Sequence, residues 1–200
     1  MGDNTVKIAL KLLLITLVAG LALGLTNAVT KDPIQEQELA AAEAARREVL
    51  TADSFYEVPL DTLKANSSIQ WAAGNDTVTA VYGAKAADGS FAGTVVEITG
   101  KGYGGSIAIT VGVDQHKQVS GVKIGTHSET PGLGAKTANP DFYGQYAGMD
   151  AQKEIAIGAG ENGVVAISGA TVSSKAVTSA VNIAATLAVE YQTVIEEAAQ

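Results

Sequence analysis

Residues 106–124 read SIAITVGVDQHKQVSGVKI, and this stretch decides the fold. Ile107, Ile109, Val111 and Val113 fall two apart, so in an extended chain they share one face. Val119–Ile124 is a second β-branched run, and DQHKQ between the two is a short polar turn. Such runs joined by about five residues predict an antiparallel hairpin. Their alternation predicts a sheet with one buried face and one more open face. Upstream, Val78, Ala80 and Tyr82 alternate in the same way, as do Val96 and Ile98. Gly163–Ile167 is a further short β-branched run.

Downstream the period changes. Val177, Val181, Ala184, Leu187, Tyr191 and Val194 are spaced by 4, 3, 3, 4 and 3 residues. That spacing lays one apolar stripe along a helix over 172–200, ready to cover the sheet. Strands followed by a packing helix read as an α+β fold. The lone Trp71 is assigned to core packing.

On the N-terminal side, Leu12–Thr30 reads LLLITLVAGLALGLTNAVT without a charge, and Ile8–Leu10 extend it backwards. A run of that length matches a hydrocarbon core about 30 Å thick. Lys7 and Lys11 precede it, so the positive-inside tendency puts the N-terminus in the cytoplasm and everything after residue 30 outside. The alternative is a signal peptide cleaved near Thr26-Asn27-Ala28. Its apolar core is usually only about 7–15 residues, which favours an uncleaved anchor here. Residues 32–50, DPIQEQELAAAEAARREVL, are rich in helix formers, with Asp32 placed to cap and Pro33 at the first turn. The apolar face is thin, which predicts a partly exposed stalk, with a partner-binding helix as the other reading. The expected organisation is an anchor over 1–30, a helical stalk over 31–50 and a soluble domain over 51–200.

Composition narrows the chemistry. The chain has 13 Lys+Arg against 21 Asp+Glu, a net charge of −8. Residues 1–29 carry Lys7, Lys11 and Asp3, so the remainder is more acidic still, at −9. An acidic exterior is a poor partner for nucleic acid, whose phosphates need clustered Lys and Arg. Cysteine is absent, which removes disulfides, thiol catalysis, iron–sulfur clusters and Cys-ligated zinc. The two histidines, His116 and His127, are too few for most His-based metal sites. No metal site is expected, and any redox chemistry must come from an organic cofactor. No Ser–His–Asp order, HExxH or Walker loop is present, so no catalytic residue is assigned.

Three glycine-containing turns stand out. Gly102-Tyr103-Gly104-Gly105 precedes the Ile107–Val113 run. Glu129-Thr130-Pro131-Gly132-Leu133-Gly134 follows the second run. Ser168-Gly169-Ala170-Thr171-Val172-Ser173-Ser174 opens the C-terminal helix. The last would leave unpaired amides at a helix start, where the dipole favours an anion such as phosphate. Gly169 permits close approach, and Ser168, Thr171, Ser173 and Ser174 add hydroxyls. The other reading is an ordinary Ser/Thr N-cap. Gly102–Gly105 reads equally as a hairpin turn, and Pro131-Gly132 as a type II turn. His127 and Glu129 beside the second turn are candidate ligand contacts.

The ordered set of anchor, GYGG, ETPGLG and SGATVSS resembles the G subunit of the Rnf complex, an ion-translocating ferredoxin:NAD oxidoreductase. The C subunit of the sodium-pumping NADH:quinone reductase is similar. The resemblance covers almost the whole chain, most specifically residues 95–185. It implies an FMN-binding domain with covalent FMN, attached through its phosphate to Thr171 by a separate flavin transferase acting on FAD. It makes Ser168, Gly169, Ala170, Ser173 and Ser174 neighbours of the phosphate. It sets Glu129, Thr130, Gly132, Leu133 and Gly134 at the flavin border, with Tyr103 and Gly104 shaping the pocket. The motif usually carries Asp three residues before its Ser, a position held here by Val165. The implied role is a membrane-anchored electron relay that works with other membrane subunits of the complex and has no independent catalysis. The alternatives are the quinone-reductase C subunit and a non-redox anchored module that binds a ligand outside the cell.

Overall fold

The hairpin forms as the alternation predicts. In a computed structural model, β4 (Ser106–Asp114) and β5 (Val119–His127) pair antiparallel, with Thr110 opposite Lys123 and Val111 opposite Val122. Asp114 tightens the turn, its Oδ1 accepting the N–H groups of His116 (2.8 Å) and Gln118 (3.0 Å). The structure describes residues 2–65 and 76–198; Trp71 lies outside the described residues. With β1 (Ser54–Glu57), β2 (Thr77–Lys85) and β3 (Phe91–Lys101) the hairpin makes an antiparallel sheet in the order β1-β2-β3-β4-β5. A short helix α2 (Leu60–Ala65) follows β1.

One sheet face is covered by α4 (Thr171–Glu190), which lies over β3 and β4. Ile107, Ile109, Val111 and Val113 point into this layer and meet the stripe of Val177, Val181, Ala184 and Leu187 in a single buried cluster. The helix does not run unbroken to the C-terminus. Tyr191 leaves helical geometry (φ −109°, ψ 13°), and α5 (Gln192–Glu197) restarts beyond it and buries Ile195. In β2 the expected face of Val78, Ala80 and Tyr82 is split by a register shift between Val78 and Ala80. Val78 and Val81 therefore join the layer under α4, while Tyr82 packs on the opposite side.

The Gly163–Ile167 run is the weaker element. Only β7 (Gly163–Val164) pairs, in parallel with β6 (Ala156–Ile157), in a separate small sheet. The ladder stops because side chains take the next backbone groups. Gln145 accepts the Val165 N–H (2.9 Å) and donates to the Val165 carbonyl (3.3 Å). Ser174 Oγ accepts the Ile167 N–H (3.1 Å). Gln145 follows a short helix, α3 (Pro140–Tyr143).

The N-terminal helix differs from the expected two pieces. α1 runs from Gly2 to Val49 with Pro33 inside it, so Asp32 caps nothing. A proline removes one intrahelical donor, and the Ala-, Glu- and Leu-rich flanks have the propensity to continue past it. The chain divides into two compact units, 1–43 and 44–200. The first is an apolar helical unit whose best window has a mean hydropathy of 2.4. The second begins before residue 51. Val49 and Leu50 are buried with Ala84 and Val95 on the sheet face away from α4, so the stalk does not extend to residue 50. Paired Gly112 and Gly121 make the notch that receives this segment. A Cβ on Gly112 would lie 2.5 Å from the Val49 carbonyl oxygen, which instead accepts Ser120 Oγ at 2.6 Å. Arg46 pairs with Glu97 (2.7 Å) and stacks over Tyr82 at 4.2 Å. Lys123 reaches Glu48 at 2.8 Å.

Candidate functional site

The start of α4 carries the site. Ala170 N–H bonds back to the Ile167 carbonyl (2.9 Å), and Gly169 takes the left-handed φ of +78° that this tight entry needs. The cap residue is Ala170, with no side-chain hydrogen bond. The Ser/Thr N-cap reading therefore fails, because the capping position has no side-chain acceptor. The first intrahelical bond is Ser174 N–H to the Ala170 carbonyl at 3.0 Å. The amides of Thr171, Val172 and Ser173 thus precede the helix ladder, at the positive end of a helix of 20 residues. Thr171 and Val172 are exposed, whereas Ala170, Ser173 and Ser174 are buried.

The second turn lies against the first. Leu133 N–H bonds to the Thr130 carbonyl (3.2 Å), and Gly132 has φ +78°, as the Pro131-Gly132 turn predicts. The Leu133 side chain covers Gly169, so that a Cβ there would sit 3.4 Å from Leu133 Cδ2. Gly102–Gly105 is the β3–β4 hairpin loop, closed by Gly102 N–H to the Gly105 carbonyl at 2.8 Å, and it leaves Tyr103 79% exposed. Glu129, only 6% exposed, links the loop to the helix. Its Oε1 accepts the Gly104 N–H (2.9 Å) and its Oε2 accepts Ser173 Oγ (2.7 Å).

These segments enclose one cleft of about 460 Å³, within the roughly 300–1,000 Å³ usual for small-molecule sites. Its lining includes Tyr103, Glu129, Thr130, Leu133, Gly134, Gly169, Ala170, Thr171 and Ser173, all foreseen from sequence, and also Val172. The sequence pattern does not single out Val172, although its place beside Thr171 in the first helical turn is the available signal. Gly104 and Gly132 shape their loops without lining the cleft, and Ser168 stands outside it. Ser174 is turned inward, donating to the Ala170 carbonyl (3.0 Å) as it accepts Ile167. Its hydroxyl, expected near the phosphate, is consumed by the chain itself. His127 is not at the cleft either; its Nδ1 accepts the Glu129 N–H at 3.4 Å.

The cleft combines two kinds of lining. Tyr103, Leu133 and Val172 are exposed apolar side chains at its rim. Exposed apolar groups gathered at a cleft mark a binding site. Beside them the unladdered start of α4 offers its amides and the exposed Thr171 hydroxyl, which suit an anion. A planar, largely apolar ring bearing a phosphate, as in FMN, has the chemistry that such a lining would hold. Beneath the first turns of α4, Tyr146 is buried and hydrogen-bonded to Thr178 (2.8 Å), and Thr178 donates to the Ser174 carbonyl (3.0 Å). Burial pushes the Tyr146 phenol up to about 12, partly offset by the Thr178 hydrogen bond. Val165 is 72% exposed in a neighbouring groove with Lys136, Asn139, Asp141 and Gln145.

Residues 102–186 match the FMN-binding domain family, and residues 1–49 match the RnfG N-terminal region. Over 185 residues the chain is 36% identical to the G subunit of the Na(+)-translocating ferredoxin:NAD(+) oxidoreductase complex of Acetobacterium woodii, with 88% of each covered. It is 31% identical over 180 residues to the G subunit of the ion-translocating oxidoreductase complex of Methanosarcina acetivorans, covering 89% of this chain and 91% of that one. The crystal structure of Shewanella oneidensis NqrC aligns with a TM-score of 0.50 at 20% identity, over 76% of this chain and 72% of that one, which shows a shared fold.

Proposed function

Because the chain belongs to the G-subunit family of Rnf-type ion-translocating oxidoreductase complexes, we propose that it carries FMN as a phosphoester on Thr171 and relays electrons within such a complex. One observation carries this reading: three turns distant in sequence meet at a cleft that presents the Thr171 hydroxyl at an uncapped, electropositive helix start.

The chain's own groups divide the work. The Thr171, Val172 and Ser173 amides and the α4 dipole stabilise the phosphodiester charge left after attachment. Tyr103, Leu133 and Val172 would hold the ring and shield it from water. Bound FMN supplies one- or two-electron transfer, with its potential tuned by the hydrogen bonds and charges around it. Thr171 needs no base of its own, because a separate flavin transferase performs the attachment. In that step the Thr171 Oγ1–phosphorus bond forms, the FAD pyrophosphate bond breaks, and AMP leaves, the hydroxyl proton being released.

The Acetobacterium relative is named for ferredoxin and NAD, and the same reaction is proposed for the complex that holds this chain. The other membrane proteins of that complex are the proposed electron partners. The proposed layout is an anchor over 1–30 and a stalk from 31 towards residue 43, with the N-terminus in the cytoplasm and the flavin domain outside. Lys7 and Lys11 before the apolar run support that orientation.

Colour tests the reading cheaply. Full-length chain purified from a host with the transferase should stay yellow and fluorescent after denaturation. A colourless chain under those conditions would favour an anchored, non-redox binding module.

A further inference from the structure

We propose that Glu129 is a positioning residue, a latch that assembles the cleft by tying the β3–β4 loop to the start of α4. Both carboxylate oxygens are spent inside the protein, Oε1 on the Gly104 amide and Oε2 on the Ser173 hydroxyl. The surrounding glycines are cut to this carboxylate. A Cβ on Gly102 would fall on Oε1, and one on Gly134 would fall on Oε2. A Cβ on Gly104 would lie 3.0 Å from the Glu129 Cα. Neither Gly102 nor Gly134 has a positive φ, so close approach is what excludes a side chain at each. Two of the glycine-rich turns thus owe their composition to a buried carboxylate as well as to the ligand beside it.

The mechanical consequence is specific. Ser173 is one residue beyond Val172 and two beyond Thr171, so the Oε2 bond fixes the first turn of α4 against the second loop. The Oε1 bond holds the loop that carries Tyr103. Without the carboxylate, Gly104 N–H and Ser173 Oγ lose their partner, and the loop that carries Tyr103 is free to move from the start of α4. For flavin attachment this inference rests on the proposed role of Thr171, but the latch itself can be read in flavin-free protein.

The test uses the full-length chain in detergent, made without the transferase, and measures amide hydrogen exchange. In Glu129→Ala, exchange at Gly104 should rise roughly 10–100-fold, the range for losing a hydrogen bond to a charged group, while β3 and β4 stay protected. Glu129→Gln should remain close to wild type. Its Oε1 can accept from Gly104, and its Nε2 can donate to the Ser173 hydroxyl. Gly102→Ala should behave like Glu129→Ala by displacing the carboxylate, and the double variant should be no worse than Glu129→Ala alone. Should Glu129→Ala lose protection throughout the sheet, Gly102→Ala and Glu129→Gln decide the matter. Wild-type protection at Gly104 in Gly102→Ala or in a folded Glu129→Ala would overturn the latch, as would a Glu129→Gln as unprotected as Glu129→Ala. After transferase treatment, intact mass should show flavin uptake slowed in Glu129→Ala and kept in Glu129→Gln. A wild-type chain that takes up no flavin would refute the attachment and leave the exchange result standing.

Discussion

Thr171 stands exposed at the start of α4, while Glu129 is buried between that helix and the β3–β4 loop. SGAT before an apolar stripe marks a helix start, and Thr171 can be placed there from spacing alone. Glu129 reads as a border residue, but its partners lie 25 and 44 residues away in sequence, so no local pattern shows that it joins them. Ser174 bonds locally, to Ala170 and Ile167, but the run SGATVSS does not show which of its hydroxyls turns inward. Val165 is mostly exposed and held only by its backbone. Val165→Asp should therefore change stability by no more than about 0.5 kcal/mol, and flavinylation by the transferase should be equal or faster. A clear slowing in a timed assay would show that the acidic residue of the usual motif has no role here. Tyr146 gives a pH prediction. Its folded pKa is raised from 10.0 to about 12 by burial, so the folded state favours the neutral phenol. The associated stability is complete below pH 10 and is lost as pH rises towards 12. Denaturant midpoints should fall over that alkaline window, and Tyr146→Phe should weaken the fall.

At the scale of elements, period two exposes the β4–β5 hairpin and the 4-3-3-4-3 stripe exposes α4, because each buries one face continuously. Where a local contact competes with the repeat, the pattern fails. The register shift in β2 re-aims Tyr82, and Gln145 ends β7 after two residues. Pro33 reads as a helix start, yet its flanks carry α1 through it. The GG notch at Gly112 and Gly121 explains why residues 44–50 join the domain, since it needs two strands in register before it exists. Leu187 is fully buried where α4 meets the sheet. Leu187→Ala should cost about 2–5 kcal/mol in denaturant unfolding, whereas a change under about 1 kcal/mol would mean that α4 is not a core element.

For the whole molecule, charge and hydropathy are sorted along the chain. A slightly basic N-terminus and an apolar helix precede an acidic domain, and the family membership puts that arrangement in a membrane complex. Protease added to intact cells with a permeable outer layer should degrade the domain and spare a tag at the N-terminus. A protected domain would reverse the proposed orientation. The missing cysteines agree with the family's organic cofactor, FMN, for which Thr171 is the proposed point of attachment. The most direct test is the intact mass of the full-length chain made with and without the transferase, alongside Thr171→Ala. Thr171 makes no cap bond, so the substitution should leave the fold unchanged. Wild type should gain the mass of one FMN less one water, and Thr171→Ala should gain nothing. An unmodified wild type, or the same gain in Thr171→Ala, would contradict it.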